Sequence, residues 1–71
     1  MTRLMKKKIG KKLKKLREER GYTQLDVSLY LGTATTTIAS WEQGVSSPDI
    51  EKAYRLMKYY NLLVEDIFEG L

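Results

Sequence analysis

The chain has 71 residues, 42% hydrophobic and 31% charged, with no cysteine and no histidine. That suffices for one small core and not for two, and it excludes disulfide staples and the zinc or iron–sulfur centres built on those ligands. Residues 1–20 hold ten Lys or Arg against two Glu, a balance of +8, while residues 21–71 hold three against seven acids, a balance of −4.

In chain order, apolar residues recur first at Met5, Ile9, Leu13 and Leu16, a narrow helical stripe that predicts a helix from Met5 to Arg20, ended by Gly21. Its other positions are Lys and Arg. Such a basic end suits nucleic acid, an anionic membrane surface or an acidic partner, or is simply a solvated lysine face. No apolar run approaches the roughly 18 residues that span a bilayer, and the basic N-terminus lacks the apolar segment of a signal peptide. The expectation is a cytoplasmic chain in a single domain, residues 1–71, with residues 1–8 as a basic extension.

A short second helix follows in "YTQLDVSLYLG", with Thr23 as cap, Asp26 completing a capping box and Gly32 closing it. Then comes "TATTTIASWEQG", where Thr35-Thr36-Thr37-Ile38 reads locally as a strand because β-branched side chains lose rotamer freedom in a helix. In "SSPDIEKAYRLMKYYN", Ser47 is the expected N-cap and Pro48 the first helical residue. Ile50, Ala53, Leu56, Met57 and Tyr60 form its expected core stripe, and Asn61 is a left-handed stop. A fifth short helix is expected from about Val64 to Glu69. With helices on both sides, a lone strand at residues 35–38 has no partner, so the threonine run must be helical as well.

A helix of short, uncharged, hydrogen-bonding residues has a physical use. The major groove of DNA, about 12 Å wide, admits a helix, and small side chains let its backbone approach the base edges. Threonine hydroxyls donate or accept there, and threonine methyls can touch the thymine methyl. Spacing agrees. Counting Gln24 as the first residue of a helix-turn-helix, apolar Val27 is fourth, small Ser28 fifth, Leu31 eighth, Gly32 ninth, Ile38 fifteenth and Trp41 eighteenth. The small fifth residue permits a close helix crossing, the glycine permits the turn, and the apolar slots seal the angle between the helices.

On "IGKKLKKLREERGYTQ", "LGTATTTIASWEQG" and Pro48 with "IEKAYRLMKYYNLLVEDIF", the chain resembles the lambda-repressor-like, Cro/cI-type (XRE) family of DNA-binding domains, from about Ile9 to Phe68. The resemblance implies an all-α, compact five-helix domain with its helix-turn-helix at helices 2 and 3. It also implies a small bacterial or phage-type regulator, sequence-specific for operator DNA and acting as a repressor dimer on a palindromic site. Thr35, Thr36 and Ser40 match positions that reach bases, with Ala39 beside them. Gln24 and Thr37 match positions at the phosphate backbone, and Gly44 and Ser46 lie in the loop that approaches it. Arg17 and Glu42 match an internal ion pair that ties helix 1 to the recognition helix, and Trp41 matches the core.

The sequence also departs from the family pattern. Ala34 stands where a capping Ser or Thr is usual, so the cap is missing or shifts to Thr33 or Thr35. The loop "GVSS" lacks a Lys or Arg, which leaves backbone N–H groups and hydroxyls to meet phosphate and transfers weight to the N-terminal lysines. Of Lys6, Lys7, Lys8 and Lys11, we assign Lys7 and Lys11 to phosphate. The cluster forms either a flexible arm or a lengthened first helix.

Leu25 and Leu29, at positions usually polar, suggest a protein partner, and Leu63, Val64, Phe68 and Leu71 are the expected homodimer interface. No enzymatic constellation, metal-ligand spacing or cofactor motif is present. The rival reading is an antitoxin-like interaction module contacting a protein through Leu25 and Leu29. A membrane-surface segment is disfavoured because helix 1 lacks a bulky aromatic face.

Overall fold

Four helices, α1 (Arg3–Glu19), α2 (Gln24–Leu31), α3 (Thr35–Gln43) and α4 (Ile50–Tyr60), make up the computed structural model, which describes residues 2–63 and residue 65. No strand occurs among the described residues. α3 lies against both α1 and α2, and α4 closes on α2. The core between them is Ile9, Leu13, Leu16, Val27, Leu31, Ile38, Trp41, Leu56 and Tyr60. Of the fifth helix expected at residues 64–69, Glu65 alone is described, and it is helical; the rest of that segment lies outside the described residues.

α1 starts two residues before the sequence-based estimate because Thr2 caps it, its Oγ1 accepting the N–H of Met5 at 3.1 Å. The basic extension thus lengthens the helix; from Arg3 onward it is not a free arm. Ile9, Leu13 and Leu16 of its stripe are buried, with Met5 partly buried against the core. α2 carries the expected capping box: Thr23 Oγ1 accepts from Asp26 N at 3.0 Å, and Asp26 Oδ2 accepts from Thr23 N at 2.8 Å. Gly32 ends it in the left-handed conformation, φ 69°.

α4 departs from expectation at its start. The cap is Asp49, whose Oδ1 accepts the N–H of Lys52 at 2.8 Å while Oδ2 pairs with Lys52 Nζ at 3.2 Å. Ser47 and Pro48 therefore precede the helix. Ile50, expected in the core, is the first residue of the helix and is 90% exposed, because the Asp49 cap places it at the solvent-facing start of α4. Leu56 and Tyr60 are buried as expected, and Asn61 ends the helix at φ 56°.

Tyrosines and arginines hold the helix ends together. The Tyr59 ring stacks between Tyr30 and Tyr22, with centroid separations of 4.1 and 4.6 Å, linking α4 to α2 and to the turn after α1. Arg55 of α4 donates to the last carbonyls of α2, Tyr30 O at 2.9 Å and Leu31 O at 3.2 Å, a favourable place for a cation. Arg20 bridges Leu16 O and Tyr60 O in the same manner.

Candidate nucleic-acid interface

The threonine run is helical because its apolar partners obey helical spacing. Ile38, Trp41 and Glu42 are the buried residues of α3, and Gly44 ends the helix at φ 78°. At the other end, Ala34 occupies the N-cap and offers no side-chain hydrogen bond, so the cap left open by the sequence is missing. Around the helix from the buried side, Thr36 and Gln43 are exposed and Thr35, Thr37, Ala39 and Ser40 are half-buried. Thr36, Ser40 and Gln43 follow one another at four and three residues, so they share the face turned away from the core.

α3 is held from behind. Arg17 Nε donates to Glu42 Oε2 at 2.7 Å and Nη2 to Oε1 at 3.0 Å, a two-pronged pair whose side chains are 10% and 4% exposed. A third guanidinium bond, Nη1 to Tyr22 O at 2.8 Å, anchors the turn after α1. Hydrogen bonding to Glu42 raises the Arg17 pKa against the opposing effect of burial. Gln24 Nε2 donates to Glu42 Oε1 at 3.1 Å. The Gln24 amide therefore keeps one hydrogen for another acceptor and ties α2 to α3 with the other. Burial, followed by the Glu42 charge, pushes the Tyr60 phenol well above the usual tyrosine range.

α1 crosses α3 at two glycines. A Cβ on Gly10 would meet the carbonyl oxygen of Trp41 and come within 2.7 Å of that of Glu42. A Cβ on Gly44 would lie 2.7 Å from Lys7 Cα. The second contact sets Lys7 beside the C-terminal end of α3, with Lys11 exposed one turn further along α1.

The loop after α3 corrects part of the sequence reading. Gly44 is buried, and its N–H is donated back to Ser40 O and Trp41 O. The N–H groups of Val45 and Ser46 also go to Ser40 O, at 2.9 and 3.4 Å. Gly44 therefore has no backbone donor to offer phosphate, and at Ser46 only the hydroxyl remains.

Leu25 and Leu29 are 56% and 72% exposed, and Leu63 is 69% exposed. Val64, Phe68 and Leu71 of the expected dimer interface lie outside the described residues. Sequence reasoning passed over Gln43, which its spacing from Thr36 and Ser40 would have revealed. It also passed over Arg3 and, having named Lys6 among the candidate lysines, did not assign it; both line a cleft with Lys7, Gln43, Gly44 and Val45. No helix among the described residues is long and apolar enough to cross a membrane.

Residues 13–67 match the family model described as helix-turn-helix, which takes in all of α2, α3 and α4. The chain belongs to the XRE-type helix-turn-helix family. This helix-turn-helix protein is 35% identical over 57 residues to an uncharacterized HTH-type transcriptional regulator of Methanocaldococcus jannaschii, covering 80% of this chain and 86% of the relative. Two uncharacterized HTH-type transcriptional regulators of Archaeoglobus fulgidus are 30% and 28% identical over 57 residues, covering 80% of this chain and 80% and 81% of theirs. These relatives are archaeal, outside the bacterial or phage setting that the family resemblance implied.

Proposed function

We propose that this protein is a DNA-binding transcriptional regulator that lays α3 in the major groove and reads its site with Thr35, Thr36, Ala39 and Ser40. The observation that carries this reading is the division of labour on α3. Its outward face is neutral, with short Thr36 and Ser40 followed by Gln43 at its end, and its one charged residue, Glu42, is turned inward and paired with Arg17. An unpaired acid there would oppose phosphate; a neutral face with hydroxyls suits base edges. Gln24, Thr37, the Ser46 hydroxyl, Lys7 and Lys11 hold the backbone on either side.

The regulator acts as a homodimer on a palindromic operator whose half-sites lie about one helical turn apart, and it represses by occluding a promoter. The exposed Leu63 supports an interface at the C-terminal end, with Val64, Phe68 and Leu71. Selection from random duplex DNA with the purified protein, at about 150 mM salt where nonspecific phosphate binding is weakened, tests the reading. Enrichment of an inverted repeat is expected; a single half-site would remove the dimer and leave the DNA reader. Enrichment of no sequence would overturn it in favour of an antitoxin-like module, for which the exposure of Leu25 and Leu29 is the supporting observation.

A further inference from the structure

The first two turns of α1 and the end of α3 enclose a cleft lined by Arg3, Lys6, Lys7, Gln43, Gly44 and Val45. We propose that this cleft is a phosphate clamp, in which Arg3, Lys6 and the Gln43 amide grip the phosphodiester backbone flanking the bases read by α3. It rests on the reading of α3 as the groove-binding helix and enlarges the footprint assigned to it.

Three observations carry the clamp. First, three cations line the cleft with no carboxylate paired to them: the ion pairs among the described residues are Arg17 with Glu42 and Asp49 with Lys52, and the nearby carbonyl end of α3 carries only a partial negative charge. The first turn of α1 contains no acid, whereas both acids of that helix, Glu18 and Glu19, stand at its far end. Cations that repel one another, and that also face the positive end of a helix dipole, are relieved by a bound anion.

Second, the cleft is built by backbone. Gly44 packs directly on the Cα of Lys7, and Met5 is partly buried against the core, so the first turns of α1 are fixed relative to α3. The cations start from a held helix, not a loose arm, and lose less freedom on binding.

Third, the cleft is continuous with the reading face. Gln43 lines it and also follows Thr36 and Ser40 on the outward side of α3. A helix whose side chains meet base edges along its length has a phosphate strand at the groove wall beyond its end. A neutral amide with two donors, flanked by guanidinium and ammonium groups, matches a phosphodiester. A free polyphosphate offers similar oxygens, and the test separates the two sources.

The experiment measures Kd as a function of salt for the wild type and for the double variant Arg3→Gln, Lys6→Gln, on the selected duplex and on a scrambled one. Neither substitution touches the core, and circular dichroism checks the fold. Losing two phosphate contacts should lower the slope of log K against log salt by about 1.8. The loss of affinity between about 50 and 200 mM salt then shrinks by roughly tenfold. The ratio between the two duplexes should stay unchanged, and Arg3→Lys, Lys6→Arg should restore the slope. A methylphosphonate at the flanking phosphate should weaken the wild type and not the double variant.

An unchanged slope with intact sequence preference would overturn the clamp alone. A lowered slope with no sequence preference in the wild type would keep the clamp and overturn the reading of α3. Failure of the wild type to bind any duplex would overturn both. Thermal stabilisation of the wild type by tripolyphosphate, with no effect of the methylphosphonate, would reassign the cleft to a soluble anion and overturn the duplex clamp.

Discussion

Gln24 and Arg17 meet on one oxygen: Glu42 Oε1 accepts from the Gln24 amide at 3.1 Å and from Arg17 Nη2 at 3.0 Å. A single carboxylate therefore joins α1, α2 and α3, and the orientation of the helix-turn-helix depends on it. Removing one member of a buried pair leaves the other charge uncompensated, which costs about 3–5 kcal/mol. Glu42→Ala should lose that much in urea denaturation. Gln24→Ala, which removes one half-exposed hydrogen bond to a charged group, should lose about 1–2 kcal/mol. Equal losses would mean that the amide, and not the guanidinium, dominates the junction.

Gly10→Ala should destabilise the protein although it replaces glycine inside a helix. In an open helix that change stabilises by up to about 1 kcal/mol. Here the new Cβ would press on the carbonyl oxygens of Trp41 and Glu42, which are backbone atoms and cannot rotate aside. α1 and α3 must separate, a change of the overpacking kind that costs about 1–3 kcal/mol. Thermal melting of the variant reads the sign directly, and a raised melting temperature would show that the crossing has slack.

Thr35→Ala, Thr36→Ala and Ser40→Ala combined should leave the fold intact or slightly firmer. Alanine is the better helix former by up to about 0.7 kcal/mol per residue, and none of the three is in the core. Sequence preference should fall toward the nonspecific level while salt dependence is retained, because phosphate contacts lie on other residues. Competition between the selected duplex and a scrambled one measures this. If the triple variant still chose the same site, the base contacts would lie elsewhere.

Stability should fall in alkali through Tyr60. Its phenol is held above the ordinary tyrosine value by burial and by the neighbouring Glu42 charge, so the folded state keeps its proton after the unfolded chain has released it. The contribution is complete below about pH 10, the unfolded value, and declines above it by about 1.4 kcal/mol per pH unit. Tyr60→Phe cannot ionise, and its melting temperature should fall less between pH 9 and about pH 11 than that of the wild type. Parallel declines would place the alkaline sensitivity in other groups.

The sequence made the helical threonines legible because helices lie on both sides and a lone strand there has no partner, while Ile38 and Trp41 fall in the apolar slots of a helix-turn-helix. The Thr23–Asp26 box and the Asn61 stop were legible for a different reason: both are local, within four residues. "SSPD" was ambiguous because it offers three capping residues, Ser46, Ser47 and Asp49, within four positions. Asp49 wins with a carboxylate that also reaches the Lys52 ammonium, and Ile50 is thereby turned outward. The tyrosine stack was not legible, and of the basic cleft only separate members were, not their meeting. Tyr22, Tyr30 and Tyr59 come from three segments, and Lys7 meets Gly44 only after α1 has folded back across α3.

Trp41 is the chain's one tryptophan, sealed in the core under the backbone crossing at Gly10. Its indole reports the union of α1 with α3 and has no view of the outward surface. Intrinsic fluorescence will therefore follow unfolding faithfully and stay nearly silent when a ligand settles on the opposite side. Stability and binding can thus be followed as separate signals in one unlabelled sample, with the tryptophan recording the first and a dye on the duplex the second.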